Sequence, residues 1–498
     1  MPHRILLDRS LVWGEVDAIA QGATLALSDA AQARIRAARI LVESIVSKGI
    51  RAYGVNTGVG ALCDMVVTES KQAQLSRNIV MSHSVGVGAA LEPAAVRAII
   101  ASAINNFAHG FSGVRPIVVE HLLGLLAQGC VPEVPAAGSV GYLTHMAHIA
   151  LVLIGEGSAW LRGRLIGGAH ALHSIHLAPL VLVAKEGLSL VNGTPCATGL
   201  AAFALGRTQR LLDWADAAAA MTFENLHGQV AVFDADALGL RVSAGVELVG
   251  VKMREALNGS AILQHSAGRR TQDPLSLRAV PQVHGAARDL FAQVARVVND
   301  ELASVTDNPI VVGTAQAPRA LSGANAVGAA LGLAADSFGI AVAEVAAISE
   351  RRMDRLVNPL VSELPAFLAA DSGAGSGFMI AQYTAVSLVA DNRRLAAPAS
   401  LDGGVTSGLQ EDHLSHATPA ALKLLKIIDN AELIIAIEVL AAAQAYELQR
   451  HAFARAPQTD EIYRRVRAAI PHYEDDRPLG LDIQRARDLI RQPLRELS

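Results

Sequence analysis

Aromatic side chains are scarce in this chain: Phe, Trp and Tyr together make up 4% of 498 residues. The core cannot rest on large rings, and a base-stacking surface for nucleic acid has little to be built from. Cysteine is scarcer still, with Cys63, Cys130 and Cys196 far apart and odd in number. That suits a reducing cytoplasm better than a disulfide framework. Nor is there an excess of one charge, since 42 basic and 46 acidic residues leave a formal net charge of −4 with no basic stripe. Nucleic acid is therefore not an expected partner. Glu, Asp, His or Gly interrupts each apolar stretch before the roughly 18–20 residues that cross a bilayer. The N-terminal Met1-Pro-His-Arg-Ile-Leu-Leu-Asp-Arg9 places charge where a signal peptide needs apolar residues. A soluble cytoplasmic protein, away from membranes, is the expectation.

What is abundant is aliphatic. Hydrophobic residues reach 51%, against 18% charged, and mean hydropathy is +0.33. The length allows one large domain or two to three ordinary ones. Many small aliphatic side chains and few rings predict helices packed closely on one another, in a protomer that buries surface against its own copies. Apolar residues recur at helical spacing over Ser28 to Lys48, Glu92 to His109, Val114 to Gly129, Ala324 to Arg352 and Pro419 to Arg450. Strand-like alternation is sparse, with Arg51 to Val55 and a hairpin around Gly163 the best candidates. Gly-rich loops interrupt the helices at 54–60, 84–88, 138–141, 193–199, 371–377 and 402–408. The expectation is a mainly α protein with a mixed N-terminal region over 1–200 and a long helical bundle over 201–498.

Several loop residues suit the removal of an amine and a β-proton from an amino acid. Tyr53 lies in a Gly/Asn loop; as a general base near neutrality its phenol, ordinarily near 10, needs lowering by donors or positive charge. Arg278 is a natural bidentate partner for a substrate carboxylate, and Asn192 offers an amide donor. Glu411 can accept a ring N–H and is poorly matched to a phenyl ring, while His83 can hydrogen-bond the same ring. Metal is not expected, because His145-x-x-His148 and His170-x-x-His173-x-x-His176 lack carboxylate or cysteine partners at ligand spacing. The glycine-rich segments lack a P-loop lysine.

Motifs in a fixed order give these residues a family. Tyr53-Gly-Val-Asn-Thr-Gly58, Met81-Ser-His83-Ser-Val-Gly, Gly138-Ser-Val-Gly141 and Leu188-Ser-Leu-Val-Asn192-Gly-Thr194 are followed by Gln272-Asp-Pro-Leu-Ser-Leu-Arg278. Then come Thr306-Asp-Asn-Pro309, Gly377-Phe-Met-Ile-Ala-Gln382 and Gln410-Glu-Asp-His413. Over roughly residues 5 to 455 the chain resembles the histidine and aromatic amino-acid ammonia-lyases. The resemblance implies the ammonia-lyase helical fold, a homotetramer with sites assembled from several protomers, and a small amino acid or betaine as substrate. It also implies Tyr53 as base, Arg278 and Asn192 on the carboxylate, and His83 and Glu411 on the ring. Gln382, in a matching segment, and Asn325, in one that departs from the pattern, join the candidate substrate-binding residues.

The departures from the family pattern sit together. The family's Ala-Ser-Gly triad, which cyclises into the electrophilic methylidene-imidazolone (MIO), is missing: Gly141 runs directly into Tyr142, where an aspartate usually follows the triad. Leu275 replaces a tyrosine of the histidine members, and Ser322-Gly-Ala-Asn325-Ala-Val-Gly328 replaces a segment with Asn-Phe-His-Gly. A quaternary ammonium has no lone pair with which to attack the electrophile and leaves without its help. The chain therefore resembles the ergothionase branch, which releases trimethylamine from a histidine betaine with no cofactor, and Tyr142 can face the trimethylammonium through its ring. Two alternatives stand beside it. One is an MIO-dependent histidine ammonia-lyase, should the cyclised triad occupy the junction as a non-standard residue; the other is an inactive ligand-binding paralogue.

Overall fold

A computed structural model describes residues 4–401, 403–450 and 452–494; the first three residues of the charged N-terminal stretch and Asp402 of the 402–408 loop lie outside the described residues. The chain is mostly helical. The expected periodic segments form Asp29–Ser47, Pro93–Ala108, Pro116–Ala127, Ala329–Val357 and Ala417–Glu447. Their starts follow local chemistry: Ser28 caps the first through a 3.1 Å bond from the Ala31 amide, and prolines open the next two.

Sheet is minor and local. Arg4–Leu7 pairs parallel with Thr24–Leu27, and Val87–Ala90 pairs antiparallel with Pro135–Ala137. The hairpin around Gly163 forms from Ser158–Leu161 and Arg164–Gly167, with positive φ at Arg162 (51°) and Gly163 (77°). A second hairpin, Ile310–Gly313 with Pro318–Leu321, has no clear counterpart in the sequence pattern. Arg51 to Val55, expected as a strand, is a turn: the Asn56 side chain accepts from the Ala52 amide at 2.8 Å and donates to the Ile50 carbonyl at 2.9 Å. These side-chain bonds capture the backbone groups that a ladder would need.

The described residues cluster into two compact units of three segments each. The first takes Met1–Gly206, Val294–Asp336 and Pro398–Lys423; the second takes Arg207–Gln293, Ser337–Ala397 and Leu424–Ser498. Gly, Asp or Glu interrupts the apolar stretches as expected, yet two segments still reach membrane-spanning length on mean hydropathy. Glu186–Asn225 and Ala329–Val357 are long and apolar enough by length and composition. The apolar window of the first is wholly buried inside the protein, as in a core helix, and that of the second is 56% buried.

Within the first unit, helices approach to backbone contact. A Cβ on Gly199 would lie 2.7 Å from the Ala98 carbonyl and from the Ile99 Cα. Gly199→Val therefore forces two buried helices apart and is expected to cost about 1–3 kcal/mol, read as a lower Tm in a thermal melt.

Candidate active site

The shortened junction is tied down from several sides. Gly141 lies so close to Ser415 that a Cβ there would meet its Oγ at 2.9 Å, and the Thr418 hydroxyl donates to the Gly141 carbonyl at 2.7 Å. The His416 amide donates to the Val140 carbonyl at 3.0 Å, and the Ser139 hydroxyl to the Tyr142 carbonyl at 2.9 Å. Leu143 has φ 79° and ψ −72°, and the Thr144 amide donates back to the Tyr142 carbonyl at 3.2 Å. This is a γ-turn of positive φ, a rare and strained conformation for a leucine. The turn reverses the chain directly into the helix Thr144–Leu153, so Tyr142 is fixed at the helix entrance.

Tyr53 faces this region from its own turn. Gly54 (φ 61°) makes that turn possible, and a Cβ on it would strike Leu188 at 2.1 Å. The phenol oxygen accepts from the Gly60 amide at 3.2 Å. Across from it lies the loop 406–411: a Cβ on Gly60 would meet the Ser407 Oγ at 2.3 Å, and that oxygen accepts from the Ala61 amide at 3.3 Å. The same loop carries Glu411, whose backbone pairs with Thr406 in both directions at 2.9 and 3.3 Å. The Thr406 hydroxyl reaches the Glu411 Oε2 at 3.4 Å.

Electrostatics link four of the expected residues through Glu411. Burial pushes the Tyr53 phenol above its ordinary value; the Gly60 N–H opposes this, and Glu411 and Cys63 add to it. The expectation that its surroundings lower Tyr53 is thus corrected, because burial and a neighbouring carboxylate outweigh a single amide donor. Burial also raises Tyr142, followed by the charge of Glu411, a hydrogen bond to that carboxylate, and Tyr53. His83 ends the helix Glu69–His83 with its Nδ1 3.1 Å from the Ser82 hydroxyl. Burial lowers its pKa, while a bond to the Ile79 backbone and the charge of Glu411 work the other way.

Asn192 and Asn325 also belong to the first unit, and each braces a loop. The Asn192 Nδ2 donates to the Asn308 carbonyl at 2.5 Å, and the Asn325 Nδ2 to the Val305 carbonyl at 3.1 Å. The Leu143 amide donates to the Val191 carbonyl at 3.1 Å, which joins the residue before Asn192 to the Tyr142 turn. Arg278 and Gln382 fall in the second unit. Arg278 closes the short helix Leu275–Arg278, and its Nε is buried without a partner among the described residues. Gln382 is engaged, its Nε2 donating to the Asp354 Oδ1 at 2.5 Å. The candidate metal histidines have hydrogen bonds of their own: His145 Nε2 lies 3.0 Å from the Ala136 carbonyl, and His148 Nε2 accepts from the Gly86 amide.

Reading the residues one by one missed Cys63, Thr406 and Ser407. A lone cysteine carries no local signal of a site, and the glycines around 402–408 mark a loop without marking which side chains face the site.

A family profile described as aromatic amino acid lyase matches residues 11–468. The chain is 42% identical to the histidine ammonia-lyase of Deinococcus radiodurans over 489 residues, covering 97% of this chain and 93% of that one. Among solved structures it resembles the Trypanosoma cruzi histidine ammonia-lyase, with TM-score 0.89, 36% identity, and coverage of 98% and 93% of the two chains. It also resembles the ergothioneine-degrading ergothionase of Treponema denticola, with TM-score 0.90, 28% identity and 98% of both chains covered.

Proposed function

The chain belongs to the aromatic amino acid lyase family, a family of carbon–nitrogen lyases, and we propose that it eliminates trimethylamine from a histidine betaine, ergothioneine or hercynine. The observation that carries this reading is the junction. The prosthetic group that the family resemblance implies is made from an Ala-Ser-Gly triad, and the residues present do not fit it. Gly141 is followed directly by Tyr142, and the Ser415 hydroxyl fills the space beside the Gly141 Cα. A quaternary ammonium suits such a site, because it leaves as a neutral amine taking the C–N electron pair. The β-C–H pair becomes the new double bond, and Tyr53 takes the proton. His83 and Glu411 hold the ring, Asn192 and Arg278 the carboxylate, Tyr142 lies on the amine side, and Asn325 and Gln382 complete the surroundings. In this reading the protein is a homotetramer whose sites are assembled from several protomers. The fold shared with the ergothioneine-degrading enzyme supports this reading.

The identity to histidine ammonia-lyases favours a second reading, release of ammonia from histidine, which requires the cyclised triad. Intact mass of the purified protein decides between them at the level of the chain. The mass of the 498-residue sequence supports the first reading, and a larger mass carrying a dehydrated triad supports the second.

Glu411→Gln tests the ring assignment. A hydrogen bond to a charged group contributes about 1.5–3 kcal/mol, so kcat/KM for an imidazole substrate is expected to fall roughly ten- to hundredfold in steady-state assays.

A further inference from the structure

The short helix Glu186–Val191 runs from Lys185 to Asn192, and both of these flanking residues are tied to one dipeptide, Asp307–Asn308. Lys185 takes a left-handed backbone (φ 71°, ψ −24°), uncommon for a residue with a side chain. Its Nζ donates to the Asp307 Oδ2 at 3.0 Å and to the Ser189 hydroxyl at 2.7 Å, and neither charged side chain has exposed surface. At the other end the Asn192 Nδ2 donates to the Asn308 carbonyl at 2.5 Å. Between the two, the Asp307 Oδ1 accepts from the Asn308 amide at 2.7 Å, so the ion pair holds the residue whose carbonyl Asn192 meets. The chain beside it has little slack. A Cβ on Gly193 would lie 3.1 Å from the Thr306 carbonyl oxygen, and the Thr194 amide donates to the Thr306 Oγ1 at 3.3 Å.

A carbonyl can only accept, so the bond to Asn308 fixes how the Asn192 amide is turned. One of its two N–H groups is taken, which leaves the second for a carboxylate oxygen. Desolvation of both charges offsets the attraction within a buried ion pair, so stability alone is a weak reason for this one. We infer that Lys185 and Asp307 are positioning residues: their buried pair fixes Asn308, Asn308 orients the Asn192 amide, and that amide receives the substrate carboxylate. This rests on the reading of Asn192 as a carboxylate partner. Neither charged residue touches the substrate, and their effect on it passes through Asn192.

The test is equilibrium binding to the full-length protein of urocanate and of 4-vinylimidazole, the same molecule without its carboxylate. Removing one charge strands the other in the interior, whereas replacing both with neutral residues of similar size is often tolerated. The variant is therefore Lys185→Met combined with Asp307→Asn, whose side-chain oxygen can still accept from the Asn308 amide. Urocanate affinity is expected to fall about tenfold while 4-vinylimidazole stays within about twofold, which also reports a folded site. In an Asn192→Ala background the same double change costs urocanate nothing further. Ser189→Ala removes one acceptor from Lys185 and leaves the charges paired. It weakens urocanate selectively by less, and it carries the test should the double variant not fold. Equal loss of both ligands, a full further loss in the Asn192→Ala background, or unchanged urocanate affinity in every folded variant of the pair and of Ser189 overturns the inference. Asn192→Ala with unchanged urocanate binding overturns the carboxylate assignment itself, and the inference with it. Urocanate binding that depends on Asn192 but ignores the pair overturns only the positioning role. Neither ligand carries an amine, so the outcome is independent of which amine the enzyme releases.

Discussion

Phenylalanine at position 53 leaves a folded protein that eliminates about 10²–10⁴-fold more slowly, the usual contribution of a positioned general base. The phenyl ring keeps the carbon frame of the side chain, and only the oxygen that accepts from the Gly60 amide is lost. Nothing else in the first unit is assigned to take the β-proton. The pH dependence carries the sign. Burial, Glu411 and Cys63 raise the Tyr53 phenol, and the base acts deprotonated, so kcat/KM climbs with pH through neutrality and does not level off below about 10. A substrate bearing a fixed positive charge offsets Glu411 once bound. The limb of kcat, which reports the complex, therefore lies at lower pH than that of kcat/KM, which reports the free enzyme. In Glu411→Gln one raising influence is gone, and the kcat/KM limb moves down. Pre-steady-state and steady-state rates across pH measure all three.

Arg278→Met is expected to lower kcat/KM about 10²–10³-fold, since losing one side of a desolvated charge pair costs roughly 2–5 kcal/mol. The buried Nε of Arg278 has no partner among the described residues. Lysine there keeps the charge without the planar fork and rescues only partly. The placement of the two residues adds a sharper test. Arg278 and Tyr53 lie in different compact units of the chain, and the proposed homotetramer, with sites built from several copies, allows them to come from different copies. Co-expression of Tyr53→Phe with Arg278→Met then regenerates some sites carrying both native residues, and activity returns where each variant alone is nearly inactive. Mixed oligomers without activity would place both residues in one protomer.

Much of this is legible in the sequence. Helical periodicity located the helices Asp29–Ser47 and Ala417–Glu447 to within a few residues, because long amphipathic or wholly apolar segments leave little choice. The loop motifs brought Tyr53, His83 and Glu411 into view, and the structure gathers them around one carboxylate. Three things were less readable. Arg51 to Val55 alternates like a strand, but the Asn56 amide takes the backbone groups a ladder would use. Glu186–Asn225 is interrupted by glycines yet matches a membrane span in length and mean hydropathy, and only the fold shows that its apolar window is entirely interior. The electrostatic direction at Tyr53 depends on burial and on Glu411, some 350 residues further along, and no local pattern reveals it. For the same reason Thr406 became visible only through its pairing with Glu411.

The central claim is that this family member releases an amine without the electrophile. The most direct measurement is NMR of the amine formed when the purified protein is given histidine, hercynine and ergothioneine separately. Trimethylamine, appearing together with the unsaturated imidazole acid from one or both betaines and with histidine untouched, is the predicted result. Ammonia and urocanate from histidine would contradict it, and would place the cyclised triad back between Gly141 and Tyr142.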